Sequence, residues 1–120
     1  MHTTTTGGNA LACSAAIAAI HITLRDRLWE QAAEKGEYLI PKLQKLADQY
    51  PQIYEKITGK GLLIGMHFKT PEIGYKVASG LFKRHILVAG TLTSAQTVRI
   101  EPSLLVTYGP LDTLLDRLED

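Results

Sequence analysis

At 120 residues, 45% of them hydrophobic, the chain is long enough for one globular core that takes about two thirds of the unfolded surface out of water. Thirteen Lys and Arg against twelve Asp and Glu leave a formal charge of +1, and neither sign gathers into a run, so neither a nucleic acid nor an anionic membrane is expected as partner. The single cysteine, Cys13, excludes an internal disulfide and fits a reducing cytoplasm.

The chain opens on the polar stretch Thr3-Thr4-Thr5-Thr6-Gly7-Gly8-Asn9 and turns abruptly apolar at Ala10. Asn9 is placed to cap a helix, because its side-chain oxygen can accept from an unpaired first-turn amide. From Ala10 to Ile22 the residues are apolar nearly all round, interrupted by Ser14 and His21, which predicts a helix buried on most sides with Cys13 in a core. The run is too short to cross a bilayer comfortably, and no basic region precedes it as a secretory signal would require. From Asp26 to Tyr50 the apolar positions Leu28, Ala32, Leu39, Leu43 and Leu46 recur at helical spacing between charges, the pattern of an amphipathic helix. Pro41 lacks an amide proton, which predicts a kink or restart near Leu39 and Ile40, and Pro51 ends the helix.

Shorter elements follow. Ile53 to Ile57 and Leu62 to Phe68 read as strands around a Gly59-Lys60-Gly61 turn. Pro71 opens a helix through Arg84 whose inner face is Ile73, Val77, Ala78, Leu81 and Phe82. Ile86 to Ala89 and Thr97 to Ile100 read as two more strands across a Gly90-Thr91-Leu92-Thr93 loop, and Gly109-Pro110 leads into a last helix from Leu111 to Leu118. Trp29, Tyr38, Tyr75 and Phe82 fall at spacings that packing explains. With no repeat and no linker, the expected fold class is α+β: long N-terminal helices and a further helix packed on a small, largely antiparallel sheet. A loop leading straight into an all-apolar helix, and a stop at Asp120 inside a helix, predict a piece of a longer protein that self-associates when alone.

Two segments carry candidate chemistry. In the threonine-glycine loop, hydroxyls, unhindered backbone amides and a helix N-terminus together suit a phosphate dianion, although a polar loop with a cap accounts for the same residues. Neither a Walker loop nor a dinucleotide fingerprint is present. In Val98-Arg99-Ile100-Glu101-Pro102, an arginine sits inside an apolar strand; its planar fork matches a carboxylate, which either the internal Glu101 or a substrate could supply. His2, His21, His67 and His85 are too scattered for a metal site, and Ser14 and Ser79 lack a nucleophile elbow.

Together these segments resemble the class III aminotransferases of fold type I, the pyridoxal-phosphate group that includes ornithine, acetylornithine and 4-aminobutyrate enzymes. His2-Thr3-Thr4-Thr5-Thr6-Gly7-Gly8-Asn9-Ala10-Leu11-Ala12-Cys13 is similar to the family's His-Gly-Ser-Thr-Tyr/Phe-Gly-Gly-Asn-Pro-Leu-Ala-Cys. Gly59-Lys60-Gly61-Leu62-Leu63 resembles its glycine-bounded turn into a strand, and Leu87-Val88-Ala89-Gly90 with Val98-Arg99-Ile100-Glu101-Pro102 its C-terminal strand pair. The four threonines, Glu72-Ile73-Gly74-Tyr75 and Arg99-Ile100-Glu101-Pro102 are most similar to the branch acting on putrescine and ornithine.

The resemblance implies a C-terminal segment in which residues 1–10 close the large domain with a cofactor-phosphate loop, 11–50 are connecting helices and 51–120 form a small α+β domain. It implies that the Thr5 hydroxyl and the Thr4 backbone hold the phosphate of pyridoxal 5'-phosphate across a homodimer interface, in the partner subunit's site. It implies that Arg99 binds the carboxylate of a 2-oxo acid such as 2-oxoglutarate, which receives the amino group of a diamine or ω-amino acid. Thr3, Thr6 and Ala10 depart from the family's glycine, aromatic and proline, and none of these changes removes a phosphate donor. The lysine that anchors the cofactor belongs, by the same resemblance, to the large domain of the same chain, and no lysine here lies in that motif. The segment alone is therefore expected to bind no cofactor and to be inactive. The alternative is a free-standing, non-enzymatic domain that binds a phosphate-bearing ligand or packs on another subunit.

Overall fold

A computed structural model describes Thr4, residues 7–90 and residues 94–119. The first helix, α1 (Ala10–Arg25), starts where the sequence turns apolar, and Asn9 Oδ1 accepts from the Ala12 amide at 2.9 Å as a cap should. No residue of α1 is buried: Leu11 is 82% exposed, and Ile17, Ile20 and Leu24 are each more than half exposed. Cys13, expected in a core, is exposed as well, on a helix of which no residue is buried. At its C-terminus the chain turns through Asp26 and Arg27, the latter in the left-handed region at φ 48°, while Arg25 grips the Asp26 carboxylate through Nε and a terminal amino group at 2.7 and 2.9 Å.

The second helix, α2 (Leu28–Gln49), buries Leu28, Ala32, Leu39, Leu43, Leu46 and Ala47 along one stripe. It runs through Pro41 without the expected restart. Pro41 and Glu37, whose carbonyl loses its usual donor, both lie on the exposed face, where water can take the place of the missing amide. Strands β1 (Tyr54–Lys60) and β2 (Leu63–Phe68) form a tight antiparallel hairpin with Lys60 opposite Leu63. The turn is thus Gly61-Leu62, one residue later than the glycine pair suggested, and Gly61 takes the positive φ of 56° that a two-residue turn demands at its first position. Gly36 of α2 meets this turn backbone to backbone: a Cβ there would lie 2.5 Å from the Gly61 carbonyl oxygen. Lys35 is buried beside it, its ammonium donating to Gln31 Oε1 and to the Leu104 carbonyl, both at 3.3 Å.

After α3 (Pro71–Lys83), capped by Thr70, come β3 (Ala89–Gly90), β4 (Thr97–Ile100) and α4 (Tyr108–Glu119). The sheet order is β1-β2-β4-β3 with every pairing antiparallel, so the α+β expectation holds. Period-two alternation sends Ile64, Met66 and Phe68 of β2 with Val98 and Ile100 of β4 to one face, where Leu39 and Leu43 of α2, Leu81 of α3 and Leu111 and Leu114 of α4 close the core. Helices α2 and α4 are further clasped by Tyr38 donating to the Asp112 carboxylate and Tyr108 donating to Glu34 at 2.7 Å. That second bond holds the Tyr108 hydroxyl above the ordinary phenol range.

Three sequence expectations need correction here. Phe82 is 67% exposed rather than on the inner face of α3, where Gly74 is buried instead, its Cα so near the Ala95 carbonyl that no side chain would fit. Trp29 and Tyr75 are exposed too, so packing within the described residues does not account for them. The strand expected from Ile86 to Ala89 is only Ala89–Gly90, because residues 86–88 peel away from β4.

Candidate functional site

Arg99 owes its position to the pleat. On β4 it stands between the inward Val98 and Ile100, so its side chain leaves the sheet on the face opposite the helices. Its cross-strand neighbours are Gly65 on β2 and Ala89 on β3, two residues too small to fill the space beside a guanidinium. Glu101, two residues on, lies on the same side of the chain, and its Oε1 is 3.3 Å from an Arg99 terminal amino group, with both side chains a little under half exposed. The Arg99 Nε is shielded from solvent and has no hydrogen-bond partner. An unpaired, shielded donor on a cation is costly, and a carboxylate would satisfy it.

Where residues 86–88 leave the sheet, a groove of about 960 Å³ opens between them, the end of β4 and the start of α4. Arg99 and Glu101 are its charged members, and Ile86, Val88, Val106 and Leu114 supply apolar wall. A second, smaller depression across α1, α2 and the β1–β2 turn also has Glu101 in its lining.

One polar feature of the same sheet face went unread in the sequence. His67 lies between two threonines, with Thr58 Oγ1 at 2.8 Å from Nε2 and Thr97 Oγ1 at 3.0 Å from Nδ1, so three strands are tied by one imidazole. The alternation of β2 around Gly65 and Met66 puts His67 on this face, and register sets it opposite Thr97. Only the pairing of strands distant in sequence, which local periodicity does not encode, reveals the row.

The threonine-glycine loop is elsewhere. Thr4 is exposed, its carbonyl accepts from the Gly7 amide at 3.4 Å, and Gly8 takes φ 77° to lead into the Asn9 cap. Thr5 and Thr6 lie outside the described residues. The 16 residues of α1 span roughly 24 Å, and it is Thr23 near the far end of α1 that lines the depression containing Glu101. The fold therefore does not bring Thr4 and Arg99 together within one chain. Among the described residues no group of His, Cys, Asp and Glu could hold a metal ion, and no helix is long and apolar enough to cross a membrane.

A helix-backed antiparallel sheet with a leading helix of this kind is shared with solved aminotransferases. The fold matches acetylornithine aminotransferase from Elizabethkingia anophelis with a TM-score of 0.85 at 27% identity, over 99% of this chain and 30% of that one. It matches lysine aminotransferase from M. tuberculosis with a TM-score of 0.78 at 25% identity, over 84% of this chain and 23% of that one. The sequence model of the family Aminotransferase class-III matches residues 1–120, and the chain belongs to that family. It is similar to putrescine aminotransferase from Pectobacterium atrosepticum, 48% identical over 120 residues, all of this chain and 26% of that protein. The chain thus spans about a quarter of the length of the curated relative it matches. Enzymes of the family use pyridoxal phosphate.

Proposed function

We propose that this segment is the acid-binding and phosphate-contributing part of an aminotransferase that moves an amino group from a diamine or ω-amino acid, of the putrescine or ornithine type, to a 2-oxo acid such as 2-oxoglutarate. The observation that carries this reading is Arg99, whose Nε is shielded and unpartnered beside an open groove. When bound, pyridoxal phosphate supplies the electron sink that lets the amino group leave one carbon and join another. Arg99 takes a carboxylate of the oxo acid and orients the acid toward the reacting carbon.

The residues of the loop suit the cofactor phosphate in kind: an exposed threonine, a positive-φ glycine turn and the N-terminus of a long helix. Thr5 gives the hydroxyl and Thr4 the backbone contact. The length of α1 between that loop and the Arg99 region supports the division of labour in which the loop serves a homodimer partner's site while Arg99 serves its own. In the same reading residues 1–10 close the large cofactor-binding domain, residues 11–50 connect, residues 51–120 form the small domain, and the whole works in the cytoplasm. The segment by itself does not transaminate, because the lysine that moves the proton during transfer belongs to the large domain.

The test uses the full-length enzyme carrying this segment. Thr5→Ala should weaken cofactor retention, read as a rise in the Kd for pyridoxal phosphate by absorbance titration, with thermal stability of the apoenzyme unaltered. An unchanged Kd would remove the loop from the phosphate site. A parallel titration of the 120-residue chain should give no adduct that borohydride locks onto a single lysine; a stoichiometric adduct would overturn the division between the two domains.

A further inference from the structure

Resting on that reading of Arg99, we infer that His67 is a positioning residue: its imidazole fills the space over Gly65 and so directs the Arg99 guanidinium to the other side, into the groove. Alternation puts Gly65 and His67 of β2 and Thr97 and Arg99 of β4 on the sheet face away from the helices, with Gly65 opposite Arg99 and His67 opposite Thr97. Between Gly65 and Ala89, Arg99 has two small neighbours and therefore two directions in which to lie. The β2 side is closed. A Cβ on Gly65 would stand 3.2 Å from His67 Nε2 and 3.1 Å from Thr58 Oγ1, so ring and hydroxyl already occupy that space. The β3 side is open, and there Arg99 lines the groove with Ile86, Val88 and Ala89.

The ring is held firmly enough for this task. Thr58 Oγ1 lies 2.8 Å from Nε2 and Thr97 Oγ1 3.0 Å from Nδ1, so the imidazole is fixed from β1 and β4 at once. Threonine hydroxyls both donate and accept, which satisfies the ring in either tautomer. Gly65 is what lets the ring lie across its own strand toward Thr58. A long arginine side chain walled off on one side keeps fewer rotamers, so it gives up less freedom when it takes a carboxylate.

The experiment is steady-state kinetics of the full-length enzyme with putrescine as donor and 2-oxoglutarate as acceptor, because only the acceptor carries a carboxylate. His67→Ala should lower kcat/KM for 2-oxoglutarate by roughly tenfold, as expected for a misdirected binding group, and leave kcat/KM for putrescine unaltered. His67→Gln, which keeps the bulk and can still donate and accept, should recover most of the loss. Placed in an Arg99→Gln enzyme, His67→Ala should have no further effect on 2-oxoglutarate, since His67 acts only through Arg99. If both substrates weaken together in His67→Ala, or neither does, His67 is a tie between strands and the inference falls. Arg99→Gln alone tests the underlying reading: an unaltered kcat/KM for 2-oxoglutarate would refute the role of Arg99 itself, whereas a large loss there with no effect of His67→Ala would overturn only the role of His67.

Discussion

Two helices of this chain, α1 and α2, invert the usual relation between hydrophobicity and burial. Helix α1 is apolar nearly all round and buries nothing, whereas α2 carries charges on most of its surface and buries a continuous stripe from Leu28 to Ala47. What decides burial is whether a complementary face exists. The stripe of α2 meets the inward faces of β2 and β4, and Gly36 lets it approach the hairpin turn until backbones touch. No described residue offers α1 such a surface, so its side chains stay in water and it adds almost nothing to the core. An exposed stretch of that kind marks an interface.

Deleting core atoms should test that contrast most severely. Leu39 is fully buried at the centre of the α2 face, and Leu39→Ala is expected to cost about 4 kcal/mol, read as a lower denaturant midpoint. A loss under about 1 kcal/mol, within the scatter of surface changes, would mean that α2 is not the helix that holds the sheet. Next, Gly36→Ala should cost about 3 kcal/mol, because its methyl would stand 2.5 Å from the Gly61 oxygen and 2.6 Å from its Cα, atoms that no rotamer change can move. Equal stability of this variant would show that the helix and turn are further apart than described.

How far each region could be read from sequence follows the same division. The stripe of α2, the strands β2 and β4 and the Asn9 cap rest on local composition, local periodicity or a local bond, and each formed within a residue of where the sequence placed it. Cys13 and Phe82 were misplaced because apolar character says that a residue seeks cover, not that cover is present. Residues 86–88 were misread as strand because β-branched and leucine side chains fit a pleat, while pairing depends on whether a neighbouring edge comes alongside. Arg99 stood out in the sequence as a charge in an apolar strand, and its link to Glu101 was one of two partners considered there. The His67 row was invisible, since it needs β1, β2 and β4 assembled first.

Alkaline titration sharpens the comparison from the side of the core. Tyr54 packs against Phe68 with ring centroids 5.0 Å apart, and burial pushes its phenol up to about 12 from the ordinary 10. The folded state thus holds a proton that the unfolded chain gives up earlier. Its stability contribution is complete below pH about 10 and is lost progressively as the pH rises toward 12. Tyr54→Phe should flatten the fall in denaturant midpoint over that window, and an equally steep fall in the variant would place the loss in other groups.

The smallest effect is the most diagnostic. Asn9→Ala removes the bond from Asn9 Oδ1 to the Ala12 amide, a cap of the kind whose loss costs about 1 kcal/mol of helix stability. If α1 and the sheet formed one cooperative unit, that cost would appear in the global denaturant midpoint. Because α1 contributes no residue to the core cluster, the cost is expected instead in α1 alone: faster amide exchange over the first turns after Asn9, with exchange at Met66 and Val98 and the global midpoint unmoved. In the full-length enzyme, where the proposed large domain and partner subunit cover α1, the same substitution should reach the global midpoint. Coupling would then have been created by the cover, and an identical local response in both settings would show that α1 stays outside the folded unit even there.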